Sequence, residues 1–182
     1  MDPLGARGHL GPAVRDSGSS AIWHNSTVIF RLARRAEAPL LSDLALRSKR
    51  HWGYDDDFMD RCRRQLMVDP DQITRGRVTL VEDEAEGAVM GFYALAGSSD
   101  DDAEISMLFV DPPWIGTGLG AELLNHACVS AQKLGWSAVR IEADPFAAPF
   151  YEHMGAVRIG VVPSELIPDR TLPLFRLPLG AG

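Results

Sequence analysis

Val110-Asp111-Pro112-Pro113-Trp114-Ile115-Gly116-Thr117-Gly118-Leu119-Gly120, running directly into Ala121-Glu122-Leu123-Leu124-Asn125-His126-Ala127, reads as a strand, a glycine-rich turn and a helix. Pro112 and Pro113 lack the N–H that a strand ladder needs, so they end the strand that Met107-Leu108-Phe109-Val110 begins. Three alternating glycines let the backbone approach a ligand with no Cβ in the way. The helix that follows opens with unpaired N–H groups and the positive end of its dipole. This is an anion cradle suited to phosphate. On these residues alone it could equally be a tight strand-to-helix turn whose glycines serve only geometry.

Two known phosphate motifs do not fit. The spacing is Gly-x-Gly-x-Gly and not the Gly-x-Gly-x-x-Gly of dinucleotide folds, and too little chain follows it for a doubly wound sheet. No Gly-Lys-Ser/Thr follows, which excludes a nucleotide-triphosphate loop. The segment resembles the acetyl-coenzyme A loop of the GNAT superfamily of N-acetyltransferases, Arg/Gln-x-x-Gly-x-Gly/Ala. Gly118 and Gly120 fill its two small positions, while Ile115 stands where Arg or Gln is usual. That departure removes a side-chain contact to pyrophosphate but leaves the backbone N–H contacts.

A second match lies downstream. Ala138 to Asp144 reads as a strand, and Ala147-Ala148-Pro149-Phe150-Tyr151-Glu152-His153-Met154-Gly155-Ala156 as a short helix ending at glycine. This resembles the second signature of the superfamily, Ala-x-x-Phe-Tyr followed by three residues and Gly-Phe. Ala156 replaces the phenylalanine, and Asp144 stands where asparagine is common.

The resemblance implies an α/β (α+β) fold with a mixed, mostly antiparallel central sheet, helices on both faces, and splayed strands four and five. These strands would be Glu104 to Val110 and Val139 to Glu142, with pantetheine in the gap, paired to backbone groups at Leu108 and Val110. Phe109 lies between those two, and the N–H groups of Gly116, Thr117, Gly118, Leu119 and Gly120 would hold the pyrophosphate, with Ile115 beside them in the cofactor loop. The implied chemistry is transfer of an acetyl group from acetyl-coenzyme A, a co-substrate, to an amine, with no metal. A backbone N–H near Leu108 would face the thioester carbonyl, where negative charge grows. Tyr151 is the implied proton donor to the departing thiolate, the other reading being that its ring only packs on pantetheine. Glu104 matches a strand glutamate that acts as base in one branch of the superfamily, whereas other branches deprotonate through ordered water. His126 and His153 read as structural and solvent-facing, respectively. The superfamily walls its acceptor site with the first two helices and their loop, here His51-Trp52-Gly53-Tyr54-Asp55. Trp52 and Tyr54 could stack on a cationic or aromatic amine, or simply cover the core edge. The resemblance leaves two alternatives open: an acyl-coenzyme A binding protein without turnover, and an acyltransferase for a longer acyl chain.

Composition agrees with one globular domain: 182 residues, 46% hydrophobic. A net charge of −7 argues against non-specific nucleic-acid binding and suits a cationic acceptor. Cys62 and Cys128 offer no disulfide framework or metal spacing. Neither a long apolar run nor a secretory signal is present, so no membrane association is expected and the default compartment is the cytoplasm. Residues 1–26, rich in Gly, Ser, Pro and Ala, read as a disordered extension before a single domain at 27–182.

Within that domain the pattern predicts a strand at 27–32 and a helix from Ala36 to Lys49 with an apolar stripe of Leu40, Leu41, Leu44 and Ala45. Asp55 would cap a second helix carrying Phe58, Met59, Cys62 and Leu66. Val78 to Glu82 and Val89 to Leu95 read as a hairpin, and Ser98 to Asp102 as a solvated polar loop. In the helix after the glycine turn, Leu123, Ala127 and Leu134 share a face flanked by Leu124 and Ala131. Two late strands, Val157 to Val162 and Leu172 to Leu177, complete the order. Their residues Val161, Val162, Leu166, Ile167, Leu172 and Leu174 suggest a homodimer face.

Overall fold

Alternating strands build one eight-stranded sheet in the computed structural model, which describes residues 20–23, 26–97, 102–165 and 167–180. The strands are β1 (Ser20–Trp23), β2 (Ser26–Leu32), β3 (Val78–Asp83), β4 (Val89–Ala96), β5 (Ala103–Val110), β6 (Ala138–Glu142), β7 (Val157–Pro163) and β8 (Thr171–Pro178). The spatial order is β1-β2-β3-β4-β5-β6-β8-β7. Every neighbouring pair is antiparallel except β5 with β6, which is parallel. That pair is joined only at Ala103↔Val139 and Glu104↔Arg140, so the strands separate toward their C-terminal ends. The mixed sheet with one splayed parallel pair is the expected architecture. The pair falls at the fifth and sixth strands because β1 adds one strand ahead of it.

The helices are α1 (Ala38–Arg50), α2 (Asp56–Cys62), α3 (Pro70–Thr74), α4 (Leu119–Lys133) and α5 (Ala148–His153). Two cores result, one on each face. Leu41 and Leu44 of α1, Met59 and Cys62 of α2, and Ile73 of α3 pack on Val78, Leu80, Phe92 and Ala94. On the other face Leu119, Leu123, Leu124 and Ala127 of α4 pack on Val28, Val81, Tyr93 and Ile105 together with Tyr151 of α5. Gly91 sits where α4 presses closest. A Cβ there would stand 2.8 Å from Leu123 Cδ1 and 2.9 Å from the Phe109 carbonyl oxygen.

Several local expectations need correction. Helix α1 begins at Ala38 after a single 3-10 turn over Arg35–Glu37, and Leu40 points to solvent while Ala38, Ser42 and Ser48 are buried. Ser42 is tolerated inside because its hydroxyl donates to the Ala38 carbonyl (2.7 Å) and accepts from the Val68 N–H (2.9 Å). Asp55 caps α2 as expected, accepting from the Phe58 N–H at 2.8 Å, but the helix ends at Cys62 and Leu66 is buried from the turn beyond it. Helix α3, opened by Asp69 and Pro70, was not foreseen, because five residues carry too little periodicity to register. Leu134 lies past the end of α4 and is exposed. Of the expected extension 1–26, residues 1–19 and 24–25 lie outside the described residues, whereas Ser20–Trp23 pairs with β2 and so belongs to the sheet. Of the expected polar loop, 98–101 also lie outside, and Asp102 binds Arg176 at 2.7 Å.

A bulge in β5 has a direct consequence for the site. Ala94 pairs with Met107 and Leu95 with Ile105, leaving Ser106 extra on β5. Ala103 and Ile105 therefore face α4, whereas Met107 and Phe109 face α1–α3.

Candidate active site

The splay of β5 and β6 opens a cleft of about 630 Å³ that passes from one face of the sheet to the other. Its walls are the outer half of β5, the end of β6, the glycine turn with the start of α4, α5, and the C-terminal turn of α1. The Asp111 N–H bonds to the Met90 carbonyl at 2.8 Å. Antiparallel alternation then turns the N–H and C=O of Phe109 toward β4 and those of Leu108 and Val110 toward the gap, where β6 no longer pairs with them. A chain of amide groups lying in the gap would meet these groups as a missing strand.

At the end of β5, Pro112–Trp114 form a 3-10 turn, and the backbone reaches α4 through Gly116 (φ 81°) and Gly118 (φ 95°). Both are left-handed conformations that β-carbon-bearing residues resist. Among the described residues the N–H groups of Gly116, Gly118, Leu119 and Gly120 have no hydrogen-bond acceptor. Thr117 departs from the expected cradle: its hydroxyl (2.7 Å) and its N–H (3.4 Å) both donate to the Trp114 carbonyl. The Ile115 N–H, just ahead of the cradle, bonds to the Pro112 carbonyl at 3.2 Å. Four free N–H groups at the start of a fifteen-residue helix form a fitting site for a pyrophosphate. A Cβ on Gly120 would make ordinary contact, 3.7 Å, with the Phe150 ring.

Of the residues singled out in the sequence, Leu108, Phe109, Val110, Ile115, Gly116, Gly118, Gly120, Trp52 and Tyr151 line the cleft. Leu119 is wholly buried in the core below it. Tyr151 is also buried, its ring against Phe150 and Phe175, and burial pushes its phenol well above the ordinary tyrosine range. Its hydroxyl has no hydrogen-bond partner among the described residues. Glu104 is on β5 before the bulge and does not line the cleft; Ser106, two residues on, does. Partial burial and the nearby Glu142 raise the Glu104 carboxyl, with Arg140 opposing them. His126 is structural, stacked on Phe30 at 4.5 Å with Nδ1 2.9 Å from the Tyr93 hydroxyl, and His153 is exposed at the cleft edge.

The α1–α2 loop behaves differently from expectation. Trp52 stacks on Phe146 (5.8 Å) at the cleft rim. Tyr54 does not line the cleft. Its ring stacks on Phe58 at 4.0 Å, and its hydroxyl lies 2.9 Å from both oxygens of Asp144 while accepting from Arg170 at 2.8 Å. Burial and Asp144 push the Tyr54 phenol up to about 12. Asp144 also binds the Lys49 ammonium and the Phe146 N–H. Burial alone would raise this carboxyl, but Lys49, the Phe146 N–H and the Tyr54 hydroxyl hold it below its ordinary value. Lys49, Arg170, Trp114 and Phe146 were not singled out in the sequence. Asp144 was, as an aspartate at an asparagine position.

The sequence profile of the acetyltransferase (GNAT) domain matches residues 58–164. The chain belongs to this family. No curated protein sequence matches it. GNAT structures superpose over most of its length. PaiA N-acetyltransferase from Thermoplasma acidophilum, in complex with coenzyme A, is 18% identical with a TM-score of 0.66, over 83% of this chain and 98% of that one. A GCN5-related N-acetyltransferase from Rhodopseudomonas palustris is 17% identical with a TM-score of 0.68, over 94% and 100%. YncA from Salmonella typhimurium, with its cofactor acetyl-CoA, is 19% identical with a TM-score of 0.61, over 86% and 96%. At these identities the likeness is one of fold. Among the described residues this GNAT chain has no helix long and apolar enough to cross a membrane and no group of three or more His, Cys, Asp or Glu arranged for a metal ion.

Proposed function

We propose that this chain transfers an acetyl group from acetyl-coenzyme A to a primary amine by direct attack. The observation that carries this reading is the cleft itself: a strand edge with unpaired backbone groups leads from four free N–H groups at the start of α4 to the unpartnered hydroxyl of Tyr151. The coenzyme A in the Thermoplasma structure and the acetyl-CoA in the Salmonella structure support the same ligand here.

Acetyl-coenzyme A supplies an activated acyl group on a good leaving thiol. The N–H groups of Gly116, Gly118, Leu119 and Gly120 bind its pyrophosphate, and Ile115, in place of an Arg or Gln, adds only apolar contact. The free backbone groups of Leu108 and Val110 align the pantetheine amides, and a β5 N–H near Leu108 stabilises charge developing on the carbonyl oxygen. Tyr151 donates its proton to the departing sulfur. Its raised pKa keeps the phenol protonated beyond pH ~10, where an ordinary tyrosine would ionise. The acceptor enters from the opposite face of the sheet, past Ser48, Lys49 and Trp52. Its proton leaves through ordered water, because Glu104 does not reach the cleft wall; the raised Glu104 carboxyl acts at most from the far end of that water path. The expected homodimer is supported by Val157, Ile159 and Val161, three exposed apolar residues of the edge strand β7, whose outer edge has no strand partner among the described residues. Val162, Ile167, Leu172 and Leu174 are half-buried beside it, and Leu166 lies outside the described residues.

Calorimetric titration with acetyl-coenzyme A, followed by thiol release against an amine panel, tests the reading. Saturable binding with amine-dependent thiol release is expected. Binding without release for every amine would make the chain an acyl-coenzyme A binding protein.

A further inference from the structure

The acceptor side of the cleft carries an unbalanced charge cluster contributed by four separate segments. Lys49 comes from α1, Tyr54 from the α1–α2 loop, Asp144 from the end of β6, and Arg170 from the β7–β8 connection. Two cations share one carboxylate, and all three side chains are mostly shielded from water, with exposures of 15% for Lys49, 18% for Arg170 and 14% for Asp144. Tyr54 stays neutral, since its phenol is pushed up to about 12. The stacked Tyr54 and Phe58 rings lie beside both cations, within 5.7 Å of Lys49 Nζ and 5.3 Å of the Arg170 guanidinium, and supply no anionic partner for the excess.

The hydrogen-bond inventory shows the same surplus. Asp144 and the Tyr54 hydroxyl are the only acceptors that these two cations find among the described residues, and one N–H of Lys49 and one terminal nitrogen of Arg170 serve them. The other two N–H groups of Lys49, and Nε and Nη1 of Arg170, donate to no described group. Lys49 itself lines the cleft. Glu142 also lines it, but that side chain is exposed and forms no ion pair with the cluster. Nε and Nη1 of Arg170 stay open to solvent, so an anion entering the cleft would replace water on a positive surplus that is already partly shielded, and its charge-assisted hydrogen bonds would be stronger there than in bulk water.

Building on the acceptor reading above, we infer that the acceptor carries a carboxylate, which docks on the free N–H groups of Lys49 with Arg170 behind them. The substrate class is thus an amino-carboxylate, and the apolar Trp52–Phe146 rim receives its side chain. The sign of this subsite is opposite to the net charge of −7 of the whole chain.

The test uses the full chain in the presence of coenzyme A and three probes of one shape: phenylalanine, phenylalanine amide and phenethylamine. Binding is read by calorimetry or saturation-transfer NMR. The acid is expected to bind at least tenfold more tightly than the other two. Lys49→Met and Arg170→Gln should each shrink that preference to within twofold, while Lys49→Arg keeps it. Thermal unfolding of each variant reports any loss of the interlocking role of the cluster, which would not by itself alter acid-over-amide selectivity. Equal binding of acid and amide, binding of none of the three, or a preference that survives both charge-removing variants would overturn the inference. Thiol release is scored separately. Selective acid binding with no turnover keeps the subsite and rejects acetyl transfer, whereas turnover favouring phenethylamine keeps transfer and rejects the subsite.

Discussion

Replacing Tyr151 with phenylalanine isolates one oxygen atom. The ring of Tyr151 packs against Phe150 at 5.0 Å and Phe175 at 6.1 Å, and phenylalanine keeps both contacts. The hydroxyl has no partner among the described residues, so its removal breaks no hydrogen bond of the fold and orphans no neighbour. The oxygen opens onto the cleft and is not sealed from solvent, so Tyr151→Phe is expected to unfold within about 0.5 kcal/mol of the parent chain. Affinity for acetyl-coenzyme A should change little, because the ring still covers the cleft. The rate should behave otherwise. Loss of a general acid lowers kcat by roughly 10²–10⁴, and the loss should fall on kcat and kcat/KM together. The assay is thiol release at saturating acetyl-coenzyme A, paired with thermal unfolding. A variant with near-parent kcat would refute the assignment and leave Tyr151 as packing. Since burial raises this phenol, the parent enzyme should show no loss of activity from its ionisation up to pH ~10.

Gly118→Val forces a β-branched residue to φ 95° and crowds the free N–H groups; losing two charge-assisted bonds at about 1.5 kcal/mol each should weaken coenzyme A binding on the order of a hundredfold by calorimetry. Gly120→Ala, whose Cβ meets the Phe150 ring at 3.7 Å, should be tolerated, whereas Gly120→Val should not. Ile115→Ala removes no hydrogen bond and should change that affinity only slightly. Gly91→Ala places a Cβ 2.9 Å from the Phe109 carbonyl oxygen, an overpacking that should cost about 1–3 kcal/mol in urea denaturation with an unchanged m-value. Val161→Lys places a charge on the exposed apolar edge strand β7; light scattering should show a dimer become monomer, and a parent chain already monomeric at high concentration would reject the dimer.

The glycine turn and the Ala147–Ala156 segment were legible because their function is written in local chemistry: prolines end a strand, glycines reach positive φ, and N–H groups at a helix start stay free. The acidic turn closed by Gly87 between two apolar runs likewise announced the hairpin, which carries Val78, Leu80, Phe92 and Ala94 of the first core. The acceptor wall was not legible. Lys49, Tyr54, Asp144 and Arg170 are up to 121 positions apart, and only tertiary packing brings them together. Read alone, Tyr54 looked like a free aromatic beside carboxylates, yet its hydroxyl is committed to Asp144 and Arg170. Glu104 looked like a base because it sits on the correct strand. The bulge at Ser106, which no residue type marks, decides which side chains of β5 face the cleft. Asp144 in place of the usual asparagine was the one local hint of the cluster.

The central claim is acyl transfer through the gap between β5 and β6, and isotope tracing tests it most directly. The full chain is incubated with acetyl-coenzyme A labelled in the acetyl group and with a panel of amines that includes amino acids, and products are resolved by mass spectrometry. The expected result is labelled acetyl on the nitrogen of at least one amine, in a one-to-one ratio with free coenzyme A, and formed on the order of a hundredfold more slowly by Gly118→Val at sub-saturating acetyl-coenzyme A. Recovery of the labelled thioester intact with every amine, or label appearing only as acetate, would contradict it.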